Sequence, residues 1–226
     1  MKLVAGEVHR IAVPQRNYYE EAAVEEEVAY DSVKGGFAEE SLFEYHLYTL
    51  ERPATLKNKQ VKQLSLLSAD SVPVKKELIF DVSKSDKVQV ALNLTNSKDR
   101  GGLGMPLPAG VLRVYKSDSA GQLQFLGGED SIDYTPKDEE IKVVVGNAFD
   151  VTGTRTQTDY KRISTDVWRE SYEIELKNHK SQAQKIRIVE HFYGDWEITT
   201  GSDTYEKTDA YTAEWEVNVP ADGSKK

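Results

Sequence analysis

The chain contains no cysteine, so it can form no disulfide framework, no thiolate nucleophile and no cysteine-ligated zinc site. It also lacks a long hydrophobic run. Nothing approaches the ~18 apolar residues that span a bilayer as a helix, so membrane insertion is not expected. The opening stretch, Met1 to Arg10, is interrupted by Gly6 and Glu7 and carries no signal-peptide core. Positive charge is in the minority: 29 Lys and Arg stand against 38 Asp and Glu, a formal charge of −9. Phosphate contacts need clustered cations, so nucleic acid is not an expected partner.

What is present fits a globular chain. The 226 residues are 38% hydrophobic and 30% charged, enough for one large β domain or two small ones. Wholesale disorder and a helical membrane bundle are excluded. Residues 1–36 read as a leading strand followed by an acidic loop or insertion. The segment Glu20 to Asp31 holds six acids and no base. Val24 and Val28 would allow a short helix there, and the acids lack the spacing and the Gly turn of a calcium loop.

From Phe43 the pattern becomes β. Phe43 to Leu50, Gln60 to Leu67 and Val74 to Val82 read as strands. Lys87 to Thr95 alternates most cleanly, with Val88, Val90, Leu92 and Leu94 on a core face and the other face wet. A Gly/Pro loop, Gly101 to Gly110, precedes strands at Val111 to Tyr115 and Gln122 to Leu126. Glu129 to Glu140 reads as loop, and Glu140 to Val145 closes the series. A second series begins near Ala148, with strands around Tyr172 to Lys177, Lys185 to Phe192, Gly194 to Ile198 and Glu214 to Val219. Short strands at near-regular spacing, with no long amphipathic helix, predict an all-β protein of two antiparallel β-sandwich units. The expected units are 37–147 and an immunoglobulin-like sandwich over 148–226.

Candidate chemistry is sparse. Gly102-Leu-Gly104 is followed by Pro106 and Pro108 and then a strand, whereas a phosphate loop needs a helix start. His9, His46, His179 and His191 fit no short metal-ligand spacing, so no metal site is expected. No Gly-x-Ser-x-Gly elbow is present. Abundant acids make a carboxylate pair uninformative. No catalytic residue and no cofactor are assigned. The cluster around Gln157-Thr-Asp-Tyr160 has Arg155 upstream and Lys161-Arg162 downstream. If a ligand site exists, Arg113, Arg155, Asp159 and Tyr160 are its first candidates and the Gly101 to Gly110 loop its second. Trp168, Trp196 and Trp215 lie in strand patterns, where core packing is the commoner role and stacking on sugar rings the rarer one. Asn93-Leu-Thr95 matches a glycosylation acceptor but lies mid-strand.

The blocks Gly102 to Gly110, Val111 to Tyr115, Leu123 to Gly127 and Tyr134 to Glu139 resemble, in order, the bacterial family called domain of unknown function 4139. Ala148 to Val151, Gln157 to Tyr160, Asn178 to Lys180 and Gly194 to Trp196 look like its later blocks, and Phe43 to Leu50 and Gln60 to Leu67 like earlier ones. The resemblance covers most of residues 40–222. It implies a longer exported parent protein, of the envelope or secreted, with no assigned activity; a protein or glycan partner in the cell envelope is expected. It implies further that a last strand follows the Pro220-Ala-Asp-Gly223 turn. With that strand missing and no signal peptide, the chain reads as a fragment trimmed from an extracytoplasmic protein. An open edge would then let it dimerise through Glu214 to Val219. The expected function is a non-catalytic binding or scaffolding module, with a carbohydrate-active enzyme or a sugar- or metal-binding module as the alternative.

Overall fold

The structure, a computed structural model, describes residues 2–5, 29–31, 36–100 and 103–226. It is all-β, with several mainly antiparallel sheets and none closed into a barrel. Among the described residues the helical content is one 3-10 turn, Lys98–Arg100. Most of the expected acidic loop, the residues Gly101 and Gly102, and His9 lie outside the described residues.

The chain divides into two compact units, and neither is one continuous segment. The first comprises Met1–Pro73, Thr95–Gly110 and Ser131–Ile141; the second comprises Val74–Leu94, Val111–Asp130 and Lys142–Lys226. The boundary expected at 148 is therefore not where the chain parts. A single strand of Glu140–Arg162 runs unbroken across it. Strands assigned to the first series pair with strands of the second, and backbone pairing between distant segments has no local sequence signature.

In the first unit, β1 (Lys2–Ala5), β3 (Phe37–Leu42) and β4 (Tyr45–Leu50) form an antiparallel sheet in the order β1-β4-β3. β2 (Ala29–Asp31) and β5 (Lys62–Leu64) pair in parallel. Phe37, Tyr48 and Leu50 make the core, with Leu64, Leu66 and Met105 packed against them. The Tyr48 hydroxyl donates to the Pro106 carbonyl at 2.5 Å, which gives a buried phenol the acceptor it needs. Asn96, fully buried, holds the irregular segments. Its Nδ2 donates to the carbonyls of Met105, Pro136 and Thr135 at 2.8, 2.9 and 3.3 Å, and its Oδ1 accepts from the Gly104 N–H at 3.0 Å.

The second unit holds β6 (Lys75–Asp81), β7 (Lys87–Thr95), β10 (Glu140–Arg162), β11 (Trp168–Asn178), β12 (Gln184–His191), β13 (Glu206–Lys207), β14 (Thr212–Val219) and β15 (Gly223–Lys225). Their order is β13-β14-β12-β6-β7-β10-β11-β15. The sheet turns back on itself into two layers. Leu78, Phe80, Ile186, Ile188, Val217 and Val219 pack in one core with Val151 of β10 and Leu176 of β11. The layers approach closely at Gly153, where an added Cβ would lie 2.8 Å from the Phe80 ring. A separate two-stranded ribbon, β8 (Gly110–Ser117) and β9 (Leu123–Ile132), completes the unit.

Several sequence expectations change. β9 reaches Ile132, well into the stretch read as loop. Gly194 to Ile198 forms no strand. β7 is covered on both faces, because Ala91 on the supposedly wet face packs with Ile79 and Val189. Residues after Pro220 do form a strand: β15 pairs with β11, in the opposite layer from β14. Asn93, in the acceptor tripeptide, is half-buried within β7.

Candidate functional site

Of the four candidate residues, Arg155 alone sits in a built network. In β10 it follows Val151 and Gly153 on the inward face, and in β12 Glu190 follows Ile186 and Ile188 on the facing side. The two meet where the apolar core ends. Arg155 Nε and Nη2 each donate to a Glu190 carboxylate oxygen at 2.9 Å, a bidentate pair. The guanidinium also lies over the Tyr172 ring, 3.6 Å from its centroid. Burial pushes the Glu190 carboxyl above its usual range, and Arg155 opposes that rise without cancelling it. Burial and a hydrogen bond to Glu170 likewise raise the Tyr172 phenol.

Asp159 and Tyr160 lie farther along β10, past a bulge between Gln157 and Asp159, opposite Ser171 and Glu170. Both are exposed, on a hairpin that extends beyond the core and carries Ile163, Val167 and Trp168 in the open. Trp168 is thus not a core residue. Arg113 is exposed on β8. The polar contacts of Arg155 run to Glu190 and Tyr172, so the four candidates do not form one ligand site built around its guanidinium.

The opposite face of β12 carries a second charged network. Arg187 donates to Glu77 at 3.1 Å and to Glu214 at 3.3 Å, and Lys75 reaches Glu77 at 2.8 Å. Burial, with Arg187 beside it, pushes the Lys142 amine below its usual range. Farther along this face, His191 Nδ1 contacts Thr212 Oγ1 at 3.0 Å, and its Nε2 lies 3.6 Å from Asp81 Oδ2. Burial pushes the Asp81 carboxyl up, but Lys84, Ser83 and His191 outweigh it and hold the group below its usual range. Thr212 is buried, so this array presents no accessible nucleophile. His46 is held by Glu39 at 2.7 Å. Among the described residues no group of three His, Asp or Glu side chains converges as a metal site would require.

The segment between β12 and β14 is where residue-by-residue reading went astray. Trp215 packs against the core as expected, but Trp196 does not, and both are half-exposed members of an aromatic row. Phe192 stacks on Trp196 at 4.4 Å, Trp196 meets Tyr205 at 6.2 Å, and Tyr205 meets Trp215 at 5.8 Å. Beside Tyr205 lies an open cleft of about 260 Å³, lined by Ile198, Thr199, Thr200, Gly201, Asp203 and Thr204. The one sequence signal for it was the density of Thr and Tyr between Ile198 and Tyr205, which contains no motif.

No protein-family model matches the chain, no curated protein is significantly similar to it, and no solved structure matches it significantly.

Proposed function

We propose that the chain is a non-catalytic β-sandwich module of the cell envelope that binds or scaffolds a protein or glycan partner. The observation that carries this reading is the ribbon β8–β9. Tyr115 and Phe125 contact across it at 5.4 Å, so Val111 and Tyr115 of β8 share a face with Leu123 and Phe125 of β9. All four are exposed, on a two-stranded sheet whose Gly127 lies against the Val145 carbonyl of β10 while this face stays open. Such a ribbon is marginal alone, and an exposed apolar face of this kind marks an interaction surface. The bidentate hold of Arg155 on Glu190 supports a structural role for this buried carboxylate. Placement outside the cytoplasm is supported by the block order resembling domain of unknown function 4139.

The test is co-sedimentation with insoluble envelope material. The wild-type chain is expected in the pellet, and Tyr115→Ser with Phe125→Ser is expected to release it. A chain that stays in solution, or one that turns over envelope polysaccharide, overturns the reading. Self-association through Glu214 to Val219 belongs to the same proposal. β13 pairs only with Ala213 and Glu214 along the outer edge of β14. Sedimentation velocity at rising concentration should reveal the dimer, and a monomer throughout would refute it.

A further inference from the structure

The connection from β12 to β14 has little regular structure, with β13 contributing only Glu206–Lys207. Connections this long in a compact unit are commonly functional. This one is tied down. The Phe192 N–H donates to the Tyr211 carbonyl at 2.7 Å, Trp196 Nε1 to the Ala210 carbonyl at 2.8 Å, and Lys225 Nζ to Asp203 Oδ1 at 2.6 Å.

Within the aromatic row the rings have different duties. Trp196 carries Phe192 against its ring and Lys207 Nζ 4.3 Å from its centroid. One face cannot hold both, so both faces are occupied and Trp196 is not a free platform. Tyr205 is different. It is 40% exposed, lines the cleft, and is backed by Trp196 and Trp215, which fix its ring. The rest of the lining is hydroxyl-rich: Thr199, Thr200 and Thr204. The one charged lining group, Asp203, is paired with Lys225, whose hydrogen bond holds the carboxyl below its usual range.

We propose that this cleft binds one neutral sugar residue of a glycan chain. At about 260 Å³ it falls just below the roughly 300–1,000 Å³ typical of small-molecule pockets, so it suits a single ring. Hydroxyls that donate and accept match a polyol edge, and a fixed aromatic ring matches the apolar C–H face of a pyranose. The paired carboxylate leaves no charge to select an ionic ligand. The cleft's open side admits a chain continuing beyond the bound ring. This inference goes beyond the binding-module reading: it adds to the β8–β9 surface a second site with its own ligand class.

The experiment titrates the full chain with tetrasaccharides of glucose, xylose, mannose and N-acetylglucosamine, and with a galacturonic acid series, by calorimetry and by the fluorescence of the aromatic row. Saturable binding to one neutral series is expected, weakened at least about tenfold by Tyr205→Ala. Gly201→Leu is the second variant. Its backbone lies outside the left-handed region, and a Cβ there would meet Asp203 O at 3.5 Å and Ile198 Cγ2 at 3.8 Å, ordinary contacts beside the cleft. It should block binding while leaving the unfolding midpoint near wild type. Trp168→Ala, on the β10–β11 hairpin, should bind normally. Binding to no neutral series, binding to the acidic series alone, or unchanged binding in both cleft variants overturns the proposal. Products are analysed in the same samples. Cleavage of a bound saccharide would overturn the non-catalytic reading but support the cleft as the site. Absence of both binding and cleavage would sink the cleft and leave the module reading standing.

Discussion

Arg155 and Glu190 close the core of the second unit with a two-point ion pair, both contacts at 2.9 Å, the carboxylate side chain only 10% exposed. Removing Arg155 leaves the Glu190 carboxylate buried without its counter-charge. Arg155→Met is expected to cost about 3 kcal/mol, and Arg155→Met with Glu190→Leu to recover most of it, because a buried pair replaced by apolar groups is often neutral. Denaturant titration of the double-mutant cycle measures this. The pH dependence has a defined sign. Glu190 already sits above its usual range, and losing Arg155 removes the opposing influence. The native state of Arg155→Met then binds a proton that the unfolded chain releases. Its deficit should shrink as pH falls from neutral toward the ordinary glutamate value of about 4.3. A deficit independent of pH would refute an uncompensated carboxylate.

Gly153 is required by the close approach of the two layers rather than by its backbone angles. Gly153→Ala places a methyl 2.8 Å from the Phe80 ring and should cost about 1–3 kcal/mol by overpacking. Adding Phe80→Leu should recover part of the loss. Additive costs in thermal unfolding would show that the two positions do not touch.

Asn96 and Asn178 perform the same task, one in each unit. Asn178 is fully buried. Its Nδ2 donates to the carbonyls of Gln182, Pro220 and Val219 at 2.8, 2.9 and 3.4 Å, and its Oδ1 accepts from the Lys180 N–H at 3.0 Å. Either Asn→Asp change replaces the Nδ2 donor with an acceptor oxygen that faces carbonyl oxygens. Each should cost at least the roughly 1–3 kcal/mol of an unsatisfied buried group, and as much as the corresponding Asn→Ala. Hydrogen exchange in the Asn→Ala variants should report the lost Oδ1 acceptor, for Asn96 at Gly104 and for Asn178 at Lys180. Retained protection at those amides would refute the clamp.

Phe43 is the strained residue of the β3–β4 turn. Its φ is +58°, a left-handed value that is costly for a bulky side chain, and 87% of it is exposed. Packing gives no compensation, so Phe43→Gly should stabilise the first unit by about 1 kcal/mol, as a hairpin turn with a positive first angle favours glycine. A lowered unfolding midpoint would mean that the ring contributes to the fold.

Alternating apolar residues were enough to establish an all-β chain and to place most strands. Val88 and Val90, Ile186 and Ile188, and Val217 and Val219 each announce a core face, because a strand's side chains alternate with a period of two whatever lies beside it. Pairing is a different matter. That β6 lies parallel to β12, that β10 runs unbroken past residue 148, and that β15 leaves β14 for β11 depend on contacts between segments far apart in the chain. The candidate site divides the same way. Arg155 stood out locally as a cation in a polar cluster, but its partner Glu190 lies thirty-five residues on. The Tyr205 cleft carries no motif at all, since its walls come from a connection whose shape is set by ties to Ala210, Tyr211 and Lys225. Local side-chain periodicity was legible in the sequence; which strands meet, and which side chains they bring together, was decided by tertiary packing.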